Sequence, residues 1–229
     1  MPAVSLQVEE TIMFLFDNTH PMKLDPNQAP FNVAYLQRIA EVLCYALGEH
    51  PQTTVIRVDL RLPEYRDIGD SILSAPDLSQ GLMSRFIESL KEKITTYLQR
   101  KAREGKRIHR STLRYIWVRE QPDLAGKKHY HIALLVNTDS FNSLGSYDTN
   151  GTGLASLIQK AWLSALRMRD YQEYRELAHF PDNPMSFLDL KKTDFRNTLD
   201  ALTFRLSYMA KERTKRYSSA ERSFGCSQY

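Results

Sequence analysis

Two histidines one residue apart, His129 and His131, stand in the run Lys127-Lys-His-Tyr-His-Ile-Ala-Leu-Leu-Val136. Strand alternation places His129, His131, Ala133 and Leu135 on one face, with Tyr130, Ile132, Leu134 and Val136 on the other. Two imidazoles that point the same way can share one divalent ion, because histidine nitrogen is a common metal ligand. Glu120 precedes His129 by nine positions and closes a second apolar run, Leu113 to Val118. A hairpin through Pro122, Asp123 and Gly126 would bring Glu120 beside the histidines. The result is a two-His, one-carboxylate set with open positions for water or a phosphate. A histidine pair on a strand also suits a hydrogen-bonded surface feature, and spacing alone does not separate the two readings.

A second reactive set lies near the C-terminus. At 100° per residue, Leu199, Leu202, Leu206 and Met209 form one stripe of a helix, while Phe204, Tyr208, Lys211 and Lys215 fall roughly opposite. Tyr208 and Lys211 then share a face. A tyrosine hydroxyl can act as a covalent nucleophile, and a neighbouring ammonium can lower its pKa or neutralise a phosphate. An aromatic packing residue beside a solvated lysine has the same spacing.

The elements that must position these residues follow from periodicity. Residues 1–30 read as an arm broken by Pro21, Pro26 and Pro30, followed by a packing helix from Phe31 to Leu47 that stops before Gly48. Thr53 to Leu62 alternates as a strand, with Ile56, Val58, Leu60 and Leu62 against Arg57, Asp59 and Arg61. After a loop from Pro63 to Ser79, a helix from Gly81 to about Lys101 buries Met83, Phe86, Ile87, Leu90, Ile94, Tyr97 and Leu98, with a basic continuation to Arg110. Beyond the hairpin come a loop (Asn137 to Thr152), a helix (Gly153 to Met168) and a short strand near Met185 to Leu188. This order fits an α+β domain with a mainly antiparallel sheet backed by helices.

Composition narrows the function classes. No apolar run approaches the length of a membrane span, and the N-terminus lacks a charged start and an apolar h-region. Cys44 and Cys226 have no ligand-like spacing, so a cytoplasmic protein without a disulfide scaffold is expected. The net charge of +4 is modest, yet Lys91 to Arg119 and Arg205 to Arg222 hold much of the positive charge. Such runs suit a phosphate backbone as partner, or a solvated helix face. Gly151-Thr-Gly153 lacks the Gly-Lys-Ser/Thr of a P-loop, which removes support for nucleotide hydrolysis.

Glu120, the His129-Tyr-His131 strand and Tyr208-Met-Ala-Lys211, in that order, resemble the HUH endonucleases, the metal-dependent nickases of rolling-circle replication. Within them the chain looks most like the initiators of filamentous phages, the inovirus Gp2 type, including prophage proteins with a YagK/YfjJ C-terminal domain. The tail Arg222-Ser-Phe-Gly-Cys-Ser227 is also similar, and the resemblance runs from about Thr53 to Ser227. It implies a ferredoxin/RRM-like HUH core over residues 51–229, with residues 1–50 as the N-terminal arm and packing helix. It also implies Glu120, His129 and His131 as ligands of Mg²⁺ or Mn²⁺, Tyr208 as nucleophile and Lys211 as its companion.

The implied activity is nicking of a single-stranded or locally melted DNA origin, with the 5′-phosphate retained on tyrosine and later rejoined. A helicase and a polymerase would be separate partners. Tyr217, about two and a half helical turns from Tyr208, is the candidate for a second nucleophile. Two other functions remain open at this level: a DNA-binding or regulatory protein without nicking, and a metal-dependent phosphodiesterase that uses water.

Overall fold

The alternating run that ends before Pro63 forms strand β1, Gln52–Arg61, in a computed structural model that describes residues 15–63, 76–121, 128–148, 151–213, 215 and 221–228. Its neighbour is β3, His129–Asn137, paired antiparallel from Thr53↔Asn137 to Arg61↔His129. On the far side of β3 lies β2, Arg114–Glu120, also antiparallel, with Glu120 opposite His129. The hairpin expected from the two apolar runs is therefore present, while its turn residues Pro122, Asp123 and Gly126 lie outside the described residues.

Two short strands, β4 (Ala178–His179) and β5 (Met185–Asp189), share the outer edge of β1. Strand β6, Phe224–Cys226, pairs with β2 at the opposite edge. The described sheet has six strands, all antiparallel, in the order β4-β1-β3-β2-β6 with β5 beside β1. With its helices it makes an α+β protein.

Alternation fixes what each face buries. Ile56, Val58 and Leu60 join Tyr130, Ile132, Leu134 and Val136 under helices α2, Leu82–Arg103, and α3, Leu154–Ala165. Val55, Ile116, Val118, Ala133 and Leu135 face helices α1, Val33–Glu49, and α4, Phe195–Leu206. A one-residue slip of β3 would exchange its faces and put His129 and His131 beneath α2 and α3. Each large aliphatic side chain exposed in exchange would forfeit about 1.5–3 kcal/mol, so the register is strongly specified.

Three sequence expectations are corrected. The first helix continues through Gly48 to Glu49, capped at its start by the Asn32 side chain, which accepts from the Tyr35 N–H at 3.0 Å. A glycine in the last turn costs too little to end a helix whose buried face extends to Leu47. The last helix stops at Leu206 and tightens into a 3-10 turn, Ser207–Ala210, instead of running on through Lys215. There the N-terminal arm intervenes: Phe31 bridges Lys211, the Asn32 N–H donates to Ala210 O (2.8 Å), and the Glu212 N–H donates to Pro30 O (2.9 Å). The C-terminal tail, which periodicity left without an element, supplies β6. A Cβ at Gly225 would come within 2.5 Å of the Trp117 indole, so glycine lets this strand lie against the ring.

Tyr217 lies outside the described residues, as do residues 64–75 of the expected loop. Among the described residues no helix is long and apolar enough to cross a membrane.

His50 ends α1 and is buried, with Nε2 accepting the Thr112 N–H at 3.2 Å. Burial holds its pKa below the ordinary 6.5, since the charged form is poorly solvated there. Its stabilising contribution is therefore complete above 6.5 and is lost as pH falls through the depressed folded-state value. Urea unfolding at about pH 7.5 and about pH 5.5 should show His50→Gln losing less stability than the wild type over that interval. Equal losses would exclude the assignment.

Candidate active site

Strand register brings the candidate ligands together. Glu120 stands opposite His129 across β2 and β3, and Asp59 stands opposite His131 across β1 and β3. The two imidazole Nε2 atoms are 3.2 Å apart, and His131 Nε2 is 3.4 Å from Glu120 Oε2. Ligand atoms of Glu120, His129 and His131 all lie within 4.8 Å of one another. Two ligands of one ion at bond lengths near 2.1 Å and angles between ~90° and ~110° stand ~3.0–3.4 Å apart. Two separations, His129 to His131 and His131 to Glu120, thus match a single divalent cation, and the third ligand pair, within 4.8 Å, closes on it with a small side-chain shift. His131 Nδ1 donates to Asp59 Oδ1 at 2.6 Å, which leaves Nε2 turned toward the cluster.

Glu120 is 1% exposed, and four groups meet its carboxylate. Lys215 Nζ donates to Oε1 at 2.8 Å, and Tyr208 Oη donates to Oε2 at 3.2 Å. Lys211 Nζ lies 3.2 Å from Oε2, which also faces His131. Burial raises the Glu120 pKa, but the hydrogen bond with His131 and the Lys215 charge outweigh it and hold the carboxyl well below its usual range. Burial works against the charged form of His131 as well, yet its bonds with Asp59 and Glu120 prevail and raise its pKa. For both lysines burial wins, and their pKa values are lowered despite the Glu120 charge.

Tyr208 and Lys211 meet through the 3-10 turn. In such a turn residues i and i+3 eclipse each other, and Lys211 Nζ rests 3.4 Å from the centre of the Tyr208 ring. The Tyr208 ring is perpendicular to that of His131, with centroids 5.0 Å apart, and the Arg57 guanidinium is 5.7 Å away. Lys211 thus covers the ring face, whereas the hydroxyl faces a carboxylate. Burial and the Glu120 charge push the phenol pKa above 10, contrary to the expectation that Lys211 would lower it.

The structure therefore brings Glu120, His129, His131, Tyr208 and Lys211 into one cluster. Alternation puts Asp59, like Arg57, on the polar face of β1, but no spacing in the sequence assigns it to His131. Lys215 was placed on a helical face that does not exist. It reaches Glu120 because the chain leaves the 3-10 turn in an extended conformation at Lys211, with φ −60° and ψ 138°.

The antiparallel sheet and its helices thus make an α+β protein whose two-His, one-Glu cluster carries a tyrosine hydroxyl on the carboxylate. The chain belongs to the YagK/YfjJ C-terminal domain family, whose model matches residues 16–227. It is 42% identical over 194 residues to "Uncharacterized protein YagK" of Escherichia coli (strain K12), a match spanning 85% of this chain and 92% of that protein. To "Uncharacterized protein YfjJ" of the same strain it is 35% identical over 195 residues, spanning 84% and 93%. No solved structure matches the chain.

Removing one member of a buried ion pair strands its partner's charge, at a cost of about 3–5 kcal/mol. Glu120→Gln should therefore lower the melting temperature by on the order of 10 °C. Adding Lys215→Met should recover part of that loss, and thermal unfolding of single and double variants measures it. A double variant less stable than Glu120→Gln would show that the pair is not the source of the effect.

Proposed function

We propose that this protein is a metal-dependent, site-specific nickase and strand transferase of single-stranded DNA, acting through a 5′-phosphotyrosine intermediate. The observation that carries this reading is the contact between the Tyr208 hydroxyl and Glu120 Oε2, which puts a nucleophile on the His-His-Glu cluster. Further support comes from the chain order β1-α2-β2-β3-α3-β4/β5 with β3 inserted between β1 and β2. That order suits a ferredoxin/RRM-like core of the HUH type, the filamentous-phage initiators among them.

Glu120, His129 and His131 would hold Mg²⁺ or Mn²⁺, with Asp59 orienting His131. A divalent ion bound there supplies Lewis-acid stabilisation of charge on the scissile phosphate. Tyr208 Oη forms the new bond to phosphorus as the bond from phosphorus to the 3′ oxygen breaks. The proton lost by the phenol balances the one gained by the departing 3′ oxygen. One phosphodiester replaces another, so the reverse attack rejoins the strand without a nucleotide cofactor. Arg57, Lys211 and Lys215 place positive charge around Tyr208 and Glu120, which suits a phosphate backbone. In this reading the reaction starts rolling-circle replication of a phage or prophage element, with helicase and polymerase supplied separately.

With Mn²⁺ and a pool of labelled single-stranded DNAs containing the element's origin, the wild type should form a covalent adduct on a denaturing gel. Tyr208→Phe should form none while losing only about 0.5–1.5 kcal/mol of stability. An adduct of undiminished yield in that variant would remove Tyr208 as nucleophile, and no adduct with a folded, metal-loaded wild type would favour a binding or regulatory protein. Asp59→Asn should weaken Mn²⁺ binding about 10–100-fold by calorimetry. Unchanged affinity would deny Asp59 its orienting role.

A further inference from the structure

On the other side of the sheet, a cleft between α2 and α3 encloses about 440 Å³. Lys93 and Arg100 from α2, Lys160 from α3 and Arg169 line it, and Glu92 is the one carboxylate among the lining residues described. Among the described residues, Lys93, Lys160 and Arg169 make no ion pair. Lys93 Nζ donates to Ser89 Oγ at 3.1 Å, Lys160 Nζ to the Gly151 carbonyl at 3.3 Å, and Arg169 Nε to Ser164 Oγ at 2.9 Å. These acceptors are neutral, so Glu92 alone among the described lining residues offsets part of the positive charge of the four cations. Burial, and after it the charges of Arg169 and Lys160, lower the Lys93 pKa against the opposing charge of Glu92, as expected where cations outnumber the carboxylate between them.

We propose that this cleft binds a phosphate-bearing ligand of about mononucleotide size through Lys93, Lys160 and Arg169. A phosphate monoester carries nearly two negative charges and three acceptor oxygens, enough to satisfy an arginine fork and two ammonium groups at once. A simple carboxylate offers one charge and two oxygens. Leu157 and the Tyr97 ring complete the wall with apolar surface for the rest of the ligand. The site is separate from the His-His-Glu cluster, because α2 and α3 cover the sheet face opposite to the one with His129 and His131. It does not depend on the nicking reading.

The test uses the full-length chain with EDTA, at constant ionic strength, titrated calorimetrically with inorganic pyrophosphate, ADP and a short oligothymidylate. Saturable binding that Lys93→Gln and Arg169→Gln each weaken by about tenfold or more is expected. Dependence seen with pyrophosphate and ADP identifies a free phosphate ligand; dependence seen with the oligonucleotide alone identifies a nucleic-acid backbone. The first outcome fits the proposed chemistry; the second, a phosphodiester with one charge and two free oxygens, overturns the assignment of a mononucleotide-sized monoester. Absence of binding, or binding that neither substitution weakens, overturns it. Without ligand, Lys93→Gln should raise the melting temperature by about 2 °C through relief of repulsion. A fall would show that Lys93 serves the fold, and would remove it from the site.

Discussion

The buried charge of Glu120 is the constraint around which this end of the molecule is assembled. An unpaired carboxylate at 1% exposure would cost several kcal/mol, so partners must reach it from elsewhere in the chain. They come from β3, from the 3-10 turn after α4 and from the segment beyond that turn: His131, Tyr208, Lys211 and Lys215. Each brings its own backbone to the end of β2. The C-terminal segment is held in place by the N-terminal arm, through the Phe31–Lys211 bridge and the Asn32 and Glu212 backbone bonds. A carboxylate on one strand thereby ties both ends of the described chain to the sheet.

The central strands divide their labour by length as well as by face. Near Thr53 and Val55 the face toward α1 and α4 is apolar core; near Arg57, Asp59 and Arg61 the same face is polar. Chemistry is possible only at the second end, where the apolar packing stops and charged groups find partners. Asp59 and Glu120 approach His131 from its two sides, one at Nδ1 and one at Nε2, and so fix the orientation of the ring. The Tyr208 hydroxyl is held in the same network, protonated and raised in pKa by burial and the carboxylate. The orientations of the His131 ring and the Tyr208 hydroxyl are therefore fixed by the protein's own groups. A further cation that shared the charge on Glu120 would bring the phenol pKa down again.

The sheet and the His-His-Glu cluster were legible in the sequence because strand alternation has a period of two and a short hairpin fixes register locally. Given the two apolar runs, Glu120 could hardly avoid His129 and His131. What the sequence alone left undecided was every contact set by distant backbone. The helical turns around Tyr208 give way where the arm near Pro30 to Asn32 pairs with Ala210 to Glu212, and no local signal in Leu199 to Lys215 reports that pairing. Lys215 consequently fits a helical face by spacing yet reaches Glu120 from a turn, its N–H donating to the Glu212 carbonyl, and Lys211 meets the tyrosine ring in place of its hydroxyl. Local period sets which residues share a face; which of them touch depends on where another part of the chain ends the helical turns, and that is a tertiary contact.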